Sequence, residues 1–439
     1  MKNDKDHPLP REPIDRLTRP VTEFMHIEAS SGFVLLACTL AALGLANSPW
    51  ADGFLAFWKT KVGFQAGSFG MQHSLQHWIN DALMAVFFFV IGLEVKREIV
   101  HGELRDVRRA ALPIAAALGG MVAPALLYLA FVGEGPARSG WGIPMATDIA
   151  FVVGCMSVLG RRVPLALRVL LLSLAIADDI GAILVIAVGY TDDLDLGLLG
   201  GGAAGIVLVS VLARLGVRSF GVYTALGAAI WFCFHESGVH ATIAGVILGL
   251  QTPARAYVER SALGRWLTGS TRGETALSAT EARTAVRVAR ESVPPLDYLM
   301  HALHPWVAFV VMPVFAFANA GVALAGASLF EPVSIAVAVG LLVGKPLGIF
   351  VFSFLAVRTG LCRLPAGVTW SVLAGAGCLA GIGFTMALFI AGLALEGALL
   401  DAAKLGILAG SAVSAALGMA LLFRLLPLPP ATAQESGGS

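Results

Sequence analysis

The chain has 439 residues, of which 57% are hydrophobic and only 13% are charged, with a formal net charge of +1 and a mean hydropathy of +0.80. Ordinary soluble domains carry about 25% charged residues, so this composition excludes a typical soluble protein and indicates a membrane protein. The near-neutral charge gives no sign of a nucleic-acid partner.

Apolar segments follow one another along almost the whole chain. Most are long enough to cross a hydrocarbon layer of ~30 Å as helices. We therefore predict an all-α polytopic membrane protein with about twelve transmembrane helices. The predicted spans are 31–49, 79–95, 111–132, 142–160, 165–190, 196–213, 219–235, 239–252, 303–325, 332–357, 369–395 and 404–424.

The remaining segments set the domain boundaries. Residues 1–30 are polar and lack an apolar core, so they form a tail and not a signal peptide; residues 31–424 form one twelve-helix domain, and 425–439 a disordered tail. The loop 50–78 contains "WKTKVGFQAGSF", whose alternation before a glycine predicts a β-hairpin. Residues 253–298 form the one long hydrophilic connection.

Positive side chains fall mostly on one side of the predicted spans. Of the 30 Lys and Arg residues, 25 lie in the N-terminal tail and in alternate connections after it. Only Lys59, Lys61, Arg138 and Lys404 lie on the other side, and Lys345 lies inside a span. Because positive loops are retained in the cytoplasm, both termini are predicted to be cytoplasmic and the loop 50–78 external.

The chain lacks the common signatures of catalysis. Its five cysteines are scattered without CxxC spacing, and no Walker loop or HExxH helix occurs. We therefore expect no enzyme, no cofactor and no ATP hydrolysis on this chain.

Ionisable side chains near the middle of predicted spans are the strongest functional signal. Asp178 and Asp179 lie in "LLLSLAIADDIGAILVIAVGY", Asp148 follows Thr147 in "WGIPMATDIAFVVG", and Lys345 lies in "VGLLVGKPLGIFVF". A charge at mid-bilayer costs at least ~2.5 kcal/mol, so such residues usually mark an ion pathway. Structural ion pairs are the alternative, but three carboxylates and one amine do not cancel.

The surplus of carboxylates suggests the chemistry. A carboxylate in hydrocarbon needs a proton or a cation, and its oxygens suit a hard ion such as Na⁺. Adjacent helical residues point about 100° apart, so Asp178 and Asp179 are not expected to act as equals. One is predicted to bind the ion while the other pairs with Lys345, the only buried cation that the sequence offers.

Glycine and proline interrupt the fourth and eleventh spans, the latter in "GAGCLAGIGFTMALFIAG". We predict two discontinuous helices that cross at mid-membrane, within an inverted repeat of spans 3–5 and 10–12. Asp148 would then neutralise the positive N-terminal helix ends, and Lys345 the negative C-terminal ends.

Six further side chains are candidates for ion access or for a response to pH. For four of them a structural role is the alternative. Glu94 and Arg97 also suit a solvated helix end, Asp81 an N-cap, and His240 a helix start. The six are Asp81, Glu94, Arg97, His240, His301 and His304.

Many motifs in one order resemble the NhaA-type sodium/proton antiporters over residues 20–424. They include "WINDALMAVFFFVIGLEVKRE", "IPMATDIAF", "ADDIGAI", "SGVHATIAGVI", "HALHPWVAF", "FAFANAGV", "GLLVGKPLGI" and "GIGFTMALFIAGLA". The resemblance implies alternating access and electrogenic exchange of cytoplasmic Na⁺ or Li⁺ for external H⁺ in a bacterial inner membrane.

The same resemblance assigns roles to the buried residues. It places the cation on Asp179 with Asp178 beside it, and it pairs Asp178 with Lys345. It puts Thr147 and Asp148 at the crossing of the broken helices. It also implies a homodimer, in which the hairpin pairs across the two copies by strand addition.

Two features depart from the family pattern. Met300 precedes His301, where several relatives have a carboxylate implicated in pH control, so control by pH is expected to use other groups or another range. The connection 253–298 is longer than expected and rich in Arg, which would suit contact with anionic lipids.

Other classes of protein also place carboxylates in membranes. An intramembrane aspartyl protease needs two carboxylates that share a proton at ~3 Å, which favours different helices, whereas Asp178 and Asp179 are successive. A sodium-coupled symporter would make Na⁺ flux depend on an organic solute, and a passive channel would lack tight coupling to protons.

Overall fold

The structure of the protein is a computed structural model. It describes residues 28–66, 69–191, 194–259, 261, 264, 278–323 and 329–427. Most of the predicted N-terminal tail, residues 265–277 of the long connection and residues 428–439 of the predicted C-terminal tail lie outside these described residues.

Helices make up most of the described chain. The first half contains α1 (Glu28–Ala46), α2 (Ala51–Lys59), α3 (Leu75–Val100), α4 (Val107–Phe131), α5 (Ile149–Leu159), α6 (Leu165–Gly189), α7 (Leu196–Arg214), α8 (Phe220–Glu236) and α9 (Thr242–Gln251). The second half contains α10 (Ala279–Glu291), α11 (Pro295–Asn319), α12 (Pro332–Arg358), α13 (Trp370–Ala380), α14 (Phe384–Ala394) and α15 (Gly397–Leu425). Short 3₁₀ segments are Glu103–Arg105, Pro136–Met145 and Gly160–Arg162.

The predicted class, an all-α polytopic membrane protein, is confirmed. Within the described residues, 8 helical segments are long and apolar enough to cross a membrane, or up to 10 if each of two bent pairs forms one span. Each of the twelve predicted spans coincides with one of these or with α8 or α9. These last two are shorter, with 17 and 10 residues, which explains the lower number of full-length spans.

A small antiparallel hairpin lies in the loop between α2 and α3. Strand β1 (Lys61–Ala66) pairs with β2 (Phe69–Ser74), with Lys61 opposite Ser74. Strand β2 leads directly into α3, where the Ser74 hydroxyl accepts a hydrogen bond from the His77 N–H at 3.1 Å and caps the helix. The Trp78 indole also donates to the Val62 carbonyl at 2.8 Å, which fastens the hairpin to α3.

Glycines allow the closest helix contacts. A Cβ atom on Gly249 of α9 would lie 2.8 Å from the Cα of Gly92 in α3. A Cβ atom on Gly119 of α4 would lie 2.7 Å from the carbonyl carbon of Gly348 in α12. Small residues at such positions let helix backbones approach closely in a membrane. The contact between α4 and α12 also positions Lys345, which lies within α12.

Lys404 differs from the sequence prediction. It was assigned to an external connection, with Lys345 as the only buried cation. The structure places Lys404 within α15, where it is only 6% exposed. The reason is that α15 begins at Gly397, seven residues before the predicted span. Lys404 is therefore a second buried lysine, and the prediction of a single one was wrong.

Candidate functional site

The two interrupted spans contact each other at their breaks. Residues 146–148 leave the helical conformation just before α5, and α13 and α14 are bent by 49° at the break between them. The Asp148 N–H donates to the Ile382 carbonyl at 2.7 Å, and the Thr147 hydroxyl lies 3.0 Å from the Ala380 carbonyl oxygen. Backbone groups that a continuous helix would satisfy internally are thus satisfied across the crossing.

The Asp148 carboxylate joins the two helices that begin at these breaks. Its Oδ1 accepts a hydrogen bond from the Phe151 N–H at 3.2 Å, in the first turn of α5. Its Oδ2 accepts from the Thr385 N–H at 3.1 Å and from the Thr385 hydroxyl, in the first turn of α14. Asp148 is 1% exposed, so one buried negative charge lies at two positive helix ends.

Lys345 makes the complementary contacts. Its ammonium group donates to the carbonyl of Met145, the last residue of a 3₁₀ segment, and so meets a negative helix end. It also donates to Asp178 Oδ2 at 2.5 Å, and the Thr147 hydroxyl lies 2.7 Å from the same oxygen. Lys345 and Asp178 are 0% and 1% exposed. The Lys345 ammonium and the Thr147 hydroxyl thus both contact the same oxygen of Asp178.

Asp179 is equally buried but is left without such partners. It is 3% exposed, and in the described part of the chain no side chain forms a hydrogen bond or an ion pair with it. The other oxygen of Asp178, Oδ1, is also buried without a hydrogen-bond partner there. The charges that act on Asp179 are those of Asp178, Glu94, Lys345 and Asp148, three of them negative. Negative charges therefore outnumber positive ones around Asp179, and a cation or a proton would compensate the excess.

An apolar cavity of about 440 Å³ lies close to the crossing but has a different character. It is bounded mainly by side chains of α1, α5, α14 and α15, among them Phe33, Phe151 and Phe384. None of the buried aspartates lines it. It therefore offers no ligand set for an ion.

Four of the candidate access residues lie in the last turns of α3 and in α11. Glu94 has a side chain that is 23% exposed, and His304 Nδ1 lies 3.7 Å from its Oε1. Arg97 and His301 are exposed. The structure thus brings Glu94 and His304 together and leaves Arg97 and His301 at the surface.

The remaining two candidates lie near the opposite end of α3. Asp81 Oδ2 is 3.0 Å from His235 Nδ1, so its carboxylate contacts α8 and does not cap a helix. His240 precedes α9, and its carbonyl accepts a hydrogen bond from the Ile243 N–H at 3.0 Å.

Some contacting groups were not singled out from the sequence. Thr385 supplies two donors to Asp148, and the Met145 carbonyl accepts from Lys345. Threonine next to a glycine break in "GIGFTMALF" was the available signal for Thr385. A main-chain carbonyl carries no signal in a sequence, so its role depends on the fold.

Comparisons with known proteins give one family for almost the whole chain. The family described as Na⁺/H⁺ antiporter 1 matches residues 22–422. The chain is 55% identical over 435 residues to the Na(+)/H(+) antiporter NhaA of Rhodopirellula baltica, with 96% of this chain and 98% of that protein covered. It is 54% identical over 427 residues to the Na(+)/H(+) antiporter NhaA of Rhizobium meliloti, with the same shares covered.

A less similar relative matches over almost the same length. The chain is 46% identical over 427 residues to the Na(+)/H(+) antiporter NhaA 2 of Vibrio vulnificus, with 94% of each chain covered. The resemblance seen in the motifs is thereby confirmed. This chain, a multi-pass membrane protein with two helices broken around buried charges, belongs to the Na⁺/H⁺ antiporter 1 family, that of the NhaA antiporters.

Proposed function

We propose that this chain is a secondary antiporter, and not an enzyme, that exchanges cytoplasmic Na⁺ or Li⁺ for external H⁺ by alternating access. Asp179 and Asp178 form the shared site for the cation and the proton. The observation that carries this proposal is the buried Asp179 carboxylate, which has no side-chain donor among the described residues, next to Asp178 held by Lys345.

Competition at Asp179 follows from its surroundings. A buried carboxylate is tolerated when it is protonated or holds a cation, and it is unfavourable when bare. Asp179 therefore holds either a proton or Na⁺. Asp178 Oδ1, which has no hydrogen-bond donor in the described chain, adds a second carboxylate oxygen for the hard cation.

Asp148, Thr147 and Lys345 keep the broken helices stable beside this site. Asp148 compensates two positive helix ends, and Lys345 compensates a negative one. The breaks can then persist in an apolar medium and move together between two access states. Broken helices at the midplane are a recurrent feature of secondary transporters.

Electrogenic exchange needs more than one proton for each Na⁺. The Asp178–Lys345 ion pair lies beside Asp179 and is the available second ionisable unit. If this unit takes up a proton when Na⁺ leaves and loses it when Na⁺ binds, each cycle moves net positive charge inward.

The asymmetry of Lys and Arg supports an inner-membrane protein with both termini in the cytoplasm. Glu94, Arg97, His301 and His304 then lie at the cytoplasmic end and serve ion access or the response to pH. Asp81 and His240 lie at the external end. Among the described residues the sheet in the loop 50–78 has two strands, which leaves both of its edges open there, and a second copy adds to one of them to form a homodimer.

Ion selectivity is tested in everted membrane vesicles that contain the protein. The vesicles first build up a pH gradient with an acidic interior. Adding NaCl or LiCl is expected to release protons and collapse the pH gradient, while KCl leaves it unchanged. Vesicles without the protein serve as the control. An equal response to KCl would contradict Na⁺ selectivity, and a requirement for an organic solute would indicate a symporter.

The pH dependence of the apparent KM tests the shared site. As pH falls, protons occupy the aspartates and the KM for Na⁺ is expected to rise about tenfold per pH unit for one competing proton, or up to about a hundredfold for two. Saturating Na⁺ should restore much of the rate at low pH. A constant KM with a falling maximal rate would instead indicate a separate pH sensor.

A further inference from the structure

Three histidines meet where the hairpin joins the helices. His73 lies on β2, His77 lies in the first turn of α3, and His235 lies near the end of α8. One potential ligand nitrogen from each ring lies within 4.8 Å of the other two. The sequence does not reveal this cluster, because His77 and His235 are 158 positions apart.

The rings are already packed together. The centroids of His73 and His77 are 4.2 Å apart in a stacked pair, and His235 meets them at 5.2 and 5.5 Å. Asp81 Oδ2 lies 3.0 Å from His235 Nδ1 and 3.6 Å from His77 Nε2. Ligand atoms of a tetrahedral zinc site, with bonds of ~2.0–2.1 Å, lie about 3.3 Å apart. The two distances from Asp81 are thus close to those of a metal site, whereas the histidine nitrogens lie within 4.8 Å of one another.

The local structure explains why these four side chains converge. Because β2 continues directly into α3, His73 lies just before the helix, while His77 and Asp81 are four residues apart on one helix face. The α8 side is aligned by aromatic stacking: Trp231 stacks on His235, and Trp78 stacks on Trp231. Tertiary packing therefore sets the position of His235 relative to the other rings.

His77 Nε2 is inaccessible to solvent and has no hydrogen-bond partner in the described part of the chain, while the His77 side chain as a whole is 40% exposed. The side chains of His235 and Asp81 are only 11% and 15% exposed. A buried polar atom without a partner is unfavourable, and a metal ion coordinated by that nitrogen would satisfy it. This orphan nitrogen is an observation independent of the proximity of the rings.

We propose that His73, His77 and His235, with Asp81 as the fourth ligand, bind a divalent transition-metal ion, with Zn²⁺ as the best match. Imidazole nitrogens favour Zn²⁺, Cu²⁺ and Ni²⁺, whereas Na⁺, Mg²⁺ and Ca²⁺ favour oxygen ligands. Rotation of the side chains closes the remaining gaps. The bound ion would link β2, α3 and α8.

This site is separate from the Na⁺ site. Asp81 and Glu94 lie on the same helix, 13 positions apart, which corresponds to about 20 Å along its axis. Glu94 is the residue of α3 whose charge acts on Asp179. Metal binding at the histidines therefore does not require the transport aspartates.

Binding is measured on the full-length protein in detergent, purified without a polyhistidine tag. Titration with Zn²⁺ should give one saturable site per chain, and a Co²⁺ substitute should show the visible absorption of a four-coordinate ion. His77→Ala and His235→Ala should each weaken binding more than tenfold, and 100 mM NaCl should leave it unchanged. His101→Ala, at an exposed histidine beyond the other end of α3, is the matched control and should retain it.

The Asp179→Asn protein should bind Zn²⁺ like the unmodified protein, which separates this inference from the proposed transport function. Should a helix variant fail to fold, His73→Gln replaces it, because β2 is held by backbone pairing. Absence of a saturable site would overturn the proposal. The proposal would also be overturned if His77→Ala, His235→Ala and His73→Gln all bound Zn²⁺ as tightly as the unmodified protein. A loss of affinity in His101→Ala as large as that in the histidine-cluster variants would overturn it as well.

Discussion

Replacing Asp179 by asparagine is expected to abolish exchange, with Na⁺-dependent proton release in everted vesicles falling to the level of vesicles without the protein. The amide has nearly the same shape as the carboxylate but neither releases a proton nor carries a charge for Na⁺. Because Asp179 has no side-chain partner in the described chain, the substitution removes no ion pair and leaves the folded protein intact. The melting temperature in detergent should therefore not fall.

The same chemical change at an exposed position serves as the control. Asp195 caps α7 by accepting a hydrogen bond from the Gly197 N–H at 2.8 Å, and asparagine caps helices equally well. Asp195→Asn should retain full exchange. Na⁺-dependent proton release above background in Asp179→Asn would remove Asp179 from the mechanism.

Replacing Lys345 by alanine is expected to lower the free energy of unfolding by about 3–5 kcal/mol, as is usual when one partner of a buried ion pair is removed. Asp178 would lose its ammonium partner, and the Met145 carbonyl would lose its donor. Both groups are buried, so water cannot replace these contacts fully. Unfolding of the purified protein in detergent, by heat or denaturant, measures the loss.

A double variant separates the ion pair from the loss of side-chain volume. Adding Asp178→Asn to Lys345→Ala should recover part of the stability, because the stranded charge is gone. Lys96→Ala, near the polar end of α3, should change stability by less than ~1 kcal/mol. Unfolding of Lys345→Ala that is indistinguishable from the original protein would show that the pair contributes nothing.

Membrane character was accessible from the sequence for a simple physical reason. A helix in lipid needs a long apolar segment whatever its neighbours, so composition and length alone predicted the class of fold. The ends of the segments were harder to place. Lys404, the first residue of the predicted span 404–424, was counted on the external side, but α15 begins at Gly397 and includes it. Burial of a single side chain depends on neighbouring helices, which hydropathy does not describe.

The unusual residues of the site were also visible in the sequence, since charges at membrane depth and glycines in apolar spans are rare and expensive there. Asp148, Asp178, Asp179 and Lys345 stood out for this reason, and the motifs around them identified the family. Their spacing along the chain did not tell which carboxylate meets the lysine. The residue pattern alone left Asp178 and Asp179 as alternatives, and only the family resemblance distinguished them.

Tertiary structure decided the contacts that distant segments make. It joined Asp178 to Lys345, directed Thr385 to Asp148, and left Asp179 without a donor in the described chain. It also brought His235 to His77 from another helix. Each of these contacts depends on the angle and depth at which two helices cross, and packing sets both. The sequence by itself determined which side chains must be buried at a cost in free energy, whereas the fold determined which of them contact a compensating group among the described residues.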